Sequence, residues 1–238
     1  MTAPTGPEFD RYATGYDAGF DVPLKRVLGD DARAFLRPKV GLLRAQATRC
    51  RPAGPLRYLD FGCGTGDFLS LVHEAGLPWD CAGCDISGGM IAEAGRRWPA
   101  MAQHCRLWVP DEGNPVPAGA YDLISAVCVF HHIPPGQWVE TLRTLRRALR
   151  PGGRLVLMEH NPWNPVTRWL VARAEIDRHA VLFSARRGRE LLAAAGFPQA
   201  EAAYFMFFPP RWRALSPVER ALGWLPLGGQ YLLAAPAP

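Results

Sequence analysis

Three glycines at alternate positions, Gly62, Gly64 and Gly66, follow directly on the apolar run Arg57-Tyr58-Leu59-Asp60-Phe61. A strand that enters such a turn can reverse sharply, and the missing Cβ atoms let the backbone approach a ligand closely. Apolar spacing after the turn predicts a helix to about Ala75. Strand and helix then alternate. Trp79 to Cys84 reads as a second strand, Gly88 to Trp98 as a second helix and His104 to Val109 as a third strand. Tyr121 to Val129 is apolar almost without break, as suits a parallel strand covered on both faces. Pro135 to Leu149 is an amphipathic helix stopped by Pro151-Gly152-Gly153, and Arg154 to Glu159 is a fifth strand. A helix over Arg187 to Ala195, a strand over Ala200 to Phe207, a short helix near Pro217 to Trp224 and a strand over Gln230 to Ala234 follow.

This alternation predicts an α/β fold: a doubly wound, mostly parallel, seven-stranded, Rossmann-like sheet with helices on both faces. Ligands of such sheets bind beyond the C-terminal strand tips, where the chain order reverses. Ahead of the sheet, Phe9 to Leu28 and Asp30 to Ala47 carry apolar residues at helical spacing, with Asp30 or Asp31 placed to cap the second helix. The expected division is a helical portion over residues 1–55 and a ligand-binding domain over 56–238. Insertions at about 161–184 and 207–229 form a small cap.

Composition excludes several functional classes. The net charge is +5, yet the arginines are scattered and Lys25 and Lys39 are the two lysines. No run of like charge marks a nucleic-acid face, and none is expected. No stretch is long and apolar enough to span a membrane, and no leader pattern opens the chain, so the expectation is a cytoplasmic protein. The six cysteines fall mostly in strand-like apolar runs, which fits buried free thiols. Cys81-x-x-Cys84 lies within a strand and lacks a second ligand pair, so a structural reading is preferred to zinc or redox chemistry.

Two features separate the candidate ligands of the glycine turn. The dinucleotide fingerprint places its third glycine five residues after the first, whereas here the spacing is two and two. Asp60 ends the strand, and its charge would repel a pyrophosphate but attract a cationic nucleoside. S-adenosylmethionine (SAM), with an α-ammonium and a sulfonium, meets that requirement. Asp85 ends the second strand 21 residues beyond Gly64, where a carboxylate can accept hydrogen bonds from ribose hydroxyls. Its structural alternative is a helix cap, for which Ser87 is better placed.

In their order and spacing, Leu59–Gly66, Asp85, Tyr121-Asp122-Leu123-Ile124-Ser125 with Val129-Phe130-His131-His132-Ile133, and Leu149-Arg150-Pro151-Gly152-Gly153 resemble the class I SAM-dependent methyltransferase family, small-molecule type. The resemblance runs from about Leu56 to Ala234. It implies SAM as cofactor, S-adenosylhomocysteine as product, and a methionine end held by Asp60, Gly62, Gly64 and Gly66. It further implies adenine and ribose contacts from Ile86 and Met90, an adenine-binding acid at Asp111 or Glu112, and a cleft wall from Val127 and Phe130. Phe9-Asp10-x-x-Ala13-x-x-Tyr16-Asp17 is similar to the lid helix of small-molecule members, so Tyr16, with Tyr12, would close over SAM. Lys39 would pair with the methionine carboxylate; the alternatives are ordinary helix packing for Tyr16 and a surface charge for Lys39.

Methyl transfer needs a nucleophile placed in line and a group to take its proton, and histidine suits that task near neutral pH. His131 and His132 lie just past the fourth strand and His160 at the end of the fifth, all on the expected rim. Adjacent residues in extended chain diverge, so one of the first two is expected to pack instead. No persuasive set of metal ligands is read from the sequence, and no metal is expected. Asn161-Pro162-Trp163 follows the fifth strand, not the fourth, so its likeness to an amino-methylating motif is taken as coincidence. The aromatic, proline-rich insertions, with Phe208, Trp212 and Trp224, suit an apolar or ring-bearing acceptor, a homodimer contact or a membrane surface. The resulting expectation is a methyltransferase acting on an O or N atom, with C as a third option, of a small molecule. An RNA or protein methyltransferase, a NAD-dependent oxidoreductase, and a SAM-binding cyclase or scaffold without transfer chemistry are the alternatives.

Overall fold

The computed structural model describes residues 6–13, 32–197, 199–209 and 212–238. Its centre is a seven-stranded sheet: β1 (Leu56–Phe61), β2 (Trp79–Cys84), β3 (Arg106–Trp108), β4 (Tyr121–Val127), β5 (Leu149–His160), β6 (Glu201–Phe205) and β7 (Gln230–Pro236). They hydrogen-bond in the order β3-β2-β1-β4-β5-β7-β6. The strands from β3 to β5 are parallel, and β7 runs antiparallel to both β5 and β6. The chain order reverses between β1 and β4, so the crevice beyond their tips is where this topology places a ligand.

Each face of the sheet carries its own apolar layer. On one side α2 (Arg37–Ala47) and α3 (Asp67–Glu74) bring Leu43, Phe68, Leu69 and Val72 against Tyr58, Leu123 and Val156. On the other, α6 (Trp138–Ala148) and α8 (Ala185–Ala194) set Trp138, Leu142, Leu145 and Leu191 on Leu59, Ile124 and Leu157. Six consecutive residues of β4, Tyr121–Ala126, are buried, which is the double coverage its unbroken apolar run predicts.

Two elements differ from the sequence reading. A helix, α5 (Pro99–His104), directly follows α4 (Gly88–Arg97), where the third strand was expected to start at His104. Pro99 holds the first helical position, which a proline fits because that N–H needs no partner. β5 starts at Leu149 instead of Arg154, because the irregular register opposite Tyr121 and Leu123 accommodates the Pro-Gly-Gly segment within the strand. At the N-terminus the structure describes α1 (Gly6–Ala13), then a 3-10 turn at Ala32–Phe35 ahead of α2. Tyr16, Asp30 and Asp31 lie outside the described residues.

The cysteines are free, and Cys50, Cys63, Cys81, Cys84 and Cys105 are buried, in keeping with a structural role. Among the described residues no helix is long and apolar enough to cross a membrane. The first insertion carries α7 (Pro165–Val171) and a 3-10 turn at Glu175–Asp177; the second carries α9 (Ser216–Ala221). Asn161, fully buried, joins the two insertions: its Nδ2 donates to the carbonyls of Pro226 (3.0 Å) and Gly228 (2.8 Å). Asn164 Nδ2 donates to Leu227 O at 2.8 Å. The Asn-Pro-Trp segment thus has a structural task. Trp212 and Trp224, expected over a pocket, are 50% and 75% exposed and stand out to solvent.

Candidate active site

The tips of β1, β2, β4 and β5 carry the glycine turn, Asp60, Asp85 and the histidines His131, His132 and His160. Gly62, Gly64 and Gly66 all take positive φ (71°, 52° and 77°), so the turn is folded as the glycine spacing requires. Gly62 also lies against the β4 tip: a Cβ there would stand 2.6 and 2.7 Å from the two methyl carbons of Val129. Gly62→Ala should therefore cost about 2–4 kcal/mol, from left-handed strain together with overpacking. Urea unfolding checks this, and an unchanged midpoint would contradict it.

Asp60 is 2% exposed. Its Oδ1 accepts from Ser125 Oγ at 2.8 Å, and Ser125 Oγ lies 2.7 Å from the Tyr58 hydroxyl. Burial pushes the Asp60 carboxyl up to about 7, against the hydrogen bonds from Ser125 and Tyr58 and the nearby Lys39 charge, which pull it down. Lys39 is itself 2% exposed and donates to Cys128 Sγ at 3.5 Å. Burial would raise the Cys128 thiol, but Lys39 and His160 outweigh it and bring it down to about 6. Gln230 Nε2 donates to the same sulfur (3.5 Å) and lies 3.3 Å from His160 Nδ1, while its buried Oε1 has no hydrogen-bond partner.

Asp85 ties the β2 tip to the glycine turn, accepting from Gly64 N and Ser87 N, each at 2.9 Å. Ser87 caps α4 through Met90 N, so the capping role falls to the serine. Ile86, 51% exposed, borders this tip, whereas Met90 is buried. Asp111 accepts from Gly113 N and Asn114 N within its own turn, and Glu112 is exposed on that turn. Val127 is half-buried. Phe130 departs from expectation: it is fully buried in the apolar layer beside Trp138 and walls no cleft. Helix α1 reaches across the site. Asp10 accepts from Ser87 Oγ and from Gly89 N at α4, and Phe9 meets the His132 ring edge-on at 5.4 Å.

The two adjacent histidines converge, contrary to the extended-chain expectation. A 3-10 turn at Phe130–His132 folds both rings to one side, with centroids 4.1 Å apart. Glu159 holds this turn: its Oε1 accepts from Val129 N (3.0 Å) and Phe130 N (2.7 Å), and its Oε2 lies 2.6 Å from His131 Nδ1. Asp177, from the first insertion, places Oδ1 3.4 Å from Nε2 of both histidines. Burial would lower His131, but the Glu159 and Asp177 carboxylates overcome it and hold its pKa at about 10. Burial and the neighbouring His131 charge drive His132 down to about 3. The His160 ring is 5.1 Å from that of His131. Phe9, Tyr12, His132, Glu175, Ile176 and His179 border a small cavity on the open side.

The model of a family described as "Methyltransferase domain" matches residues 31–200. The chain belongs to that SAM-dependent methyltransferase family. It is 34% identical over 161 residues to a demethylmenaquinone methyltransferase of Beutenbergia cavernae, covering 66% of this chain and 59% of the relative. It is 33% identical over 178 residues to a malonyl-[acyl-carrier protein] O-methyltransferase of Methylococcus capsulatus, covering 71% and 62%. The chain thus spans about three-fifths of the length of these two relatives. A SAM-dependent methyltransferase structure from Archaeoglobus fulgidus shares the fold, with a TM-score of 0.62 at 18% identity over 90% of this chain and 97% of that one.

The residues around the glycine turn suit the chemistry of the cofactor that the family uses. Buried Asp60 and buried Lys39 complement the ammonium and carboxylate of a methionine end, the orphaned Gln230 Oε1 offers an acceptor, and a Cβ on Gly64 would meet nothing within 4 Å. Asp85 carries further acceptor capacity beside the turn.

Sequence reading missed the partners rather than the histidines. Glu159 was visible as a strand-end acid, but nothing announced that it reaches back under the β4 turn. Asp177 and Gln230 carry no local signal; each arrives through the tertiary path of an insertion or of the antiparallel strand.

Proposed function

We propose that this methyltransferase transfers the methyl group of SAM to an O or N atom, with C as a third option, of a small-molecule acceptor. The observation that carries this reading is the buried His131–Glu159 pair, 2.6 Å apart, at the β4 tip that packs on the glycine turn. SAM supplies an electrophilic methyl on a good leaving group, so the chain's task is to place the acceptor and take its proton.

Glu159 fixes the His131 ring through Nδ1 and leaves Nε2 to face the acceptor side, where Asp177 now stands. The carboxylates keep His131 an imidazolium at neutral pH, so its Nε2–H stabilises an acceptor hydroxyl or acidic C–H bound as its anion, whose proton has passed to solvent. His132 borders the cavity as a neutral ring, and His160 lines the path from Lys39 and Cys128. Phe9, Tyr12 and Ile176 favour a ring-bearing or apolar acceptor body. Asp60, Lys39 and the glycine turn would hold the methionine end, Asp85 with Ile86 and Met90 the nucleoside, and α1 would serve as lid.

Methyl-labelled SAM incubated with candidate phenols, enols and amines tests the proposal. Label should pass to acceptor with wild type and fall by about 10²–10⁴-fold in His131→Ala, while SAM affinity is kept. Undiminished transfer in that variant would refute the assignment.

Cofactor binding itself should depend on pH. With Asp60 near 7 in the free protein, half of it is protonated at neutrality, and only the carboxylate attracts an ammonium. Affinity for SAM should therefore climb about tenfold from pH 6 to pH 8, with proton release on binding in that range. Calorimetry in buffers of different ionisation enthalpy reads both quantities; a flat profile would contradict the Asp60 assignment.

A further inference from the structure

We infer that His131, His132 and Asp177 form a binding site for one divalent transition-metal ion, a role beyond the methyl-transfer reading. His131 Nε2 and His132 Nε2 each lie 3.4 Å from the same Asp177 Oδ1, and the three donor atoms all fall within 4.8 Å of one another. That separation is long for charge-assisted hydrogen bonds, which run to about 2.7–2.9 Å. It is the spacing ligands take around a tetrahedral ion, where bonds of about 2.0–2.1 Å put neighbouring donors about 3.3–3.4 Å apart.

The supporting groups are those a metal-binding histidine needs. Glu159 Oε2, 2.6 Å from His131 Nδ1, holds that nitrogen as the N–H donor and orients the ring, so that an ion at Nε2 replaces only the Nε2 proton. Glu159 is itself held by the Val129 and Phe130 N–H groups, so the relay is rigid. The 3-10 turn at Phe130–His132 is what lets consecutive residues supply two converging nitrogens. Asp177 comes from a different segment, so the site closes only in the folded chain.

Three protein donors leave a fourth position on the side of the cavity bordered by Phe9 and Tyr12. Two imidazoles and one carboxylate select zinc, cobalt or nickel over magnesium or calcium, which prefer oxygen. An ion here displaces the Nε2 proton, so metal-loaded and protonated His131 exclude one another.

Cobalt(II) titration of the full-length, chelator-stripped protein tests the inference. One equivalent should develop the intense visible bands of four-coordinate cobalt, without the near-ultraviolet thiolate charge transfer that the cysteines would give, and zinc should abolish them. Asp177→Asn and His132→Ala, each on the rim of the cluster, should weaken binding at least tenfold. Glu159→Gln should weaken it about 10–100-fold. A His73→Ala/His104→Ala variant, which removes the stacked surface pair 5.3 Å apart, should leave it unchanged. No cobalt band at one equivalent in the wild type, or a band that survives Asp177→Asn combined with His132→Ala, overturns the site.

Discussion

Asp60→Asn should bind SAM at least about 30-fold more weakly, yet melt at a higher temperature than the wild type when both are ligand-free at pH 8. The first effect follows from losing a charged hydrogen-bond acceptor for an ammonium, worth about 2 kcal/mol or more in a buried site. The second follows from linkage. Burial raises the Asp60 pKa from 3.8 to about 7 in the folded state. Ionising it therefore costs more in the folded than in the unfolded chain. The penalty is absent below about pH 4, grows as pH rises towards 7 and is complete above it, reaching on the order of 4 kcal/mol at most. Asparagine does not ionise, keeps an acceptor for Ser125 Oγ and escapes the penalty. Lys39 loses a nearby counter-charge in the exchange, which takes back part of the gain. A net rise of about 5 °C at pH 8, vanishing near pH 4, is the expected signature. Calorimetric scans at the two pH values, with SAM titrations at pH 8, check it. A variant less stable than wild type at pH 8 would show that Asp60 is not a strained acid held for its ligand.

Glu159→Ala should have the largest cost to the fold of any single change at the site. One 1%-exposed carboxylate accepts from two backbone N–H groups and holds the His131 ring. Truncation strands those groups in an apolar setting at once. The expected loss is about 3–5 kcal/mol, the range for breaking one side of a buried charged network. Turnover should fall as well, because the 3-10 turn that aims His131 loses its support. Glu159→Gln separates the two effects. The amide oxygen can still accept from Val129 and Phe130, so stability should largely return, while the His131 contact becomes uncharged and transfer stays impaired. Urea unfolding of both variants, alongside methyl transfer, reads this pattern. Equal stability of Glu159→Ala and wild type would contradict the network.

What the sequence disclosed, and what it hid, follows from the range of the physics involved. The sheet was legible because period and punctuation are local: the β4 run is apolar since both faces are covered, and the glycine turn is written at alternate positions. Asp60 and Asp85 could be placed at strand tips because each closes the apolar run of its strand. Phe130 was misplaced because a residue just beyond a strand can turn either way; the 3-10 turn sends it inward and swings His131 and His132 together. The helix at Pro99–His104 was hidden because its proline reads as a breaker as easily as a first helical residue. The partners of the histidines were illegible for a deeper reason. Asp177 reaches them through an insertion and Glu159 through a neighbouring strand, contacts that no spacing along the chain encodes.

A buried acid and a buried lysine beside a bare turn should select a zwitterionic sulfonium nucleoside over a dinucleotide. Parallel calorimetric titration of the wild-type chain with SAM, S-adenosylhomocysteine and NAD measures that selection. The first two should bind one-to-one, and NAD should give no measurable heat. Binding of NAD at comparable affinity, or failure of both adenosyl ligands to bind, would contradict it.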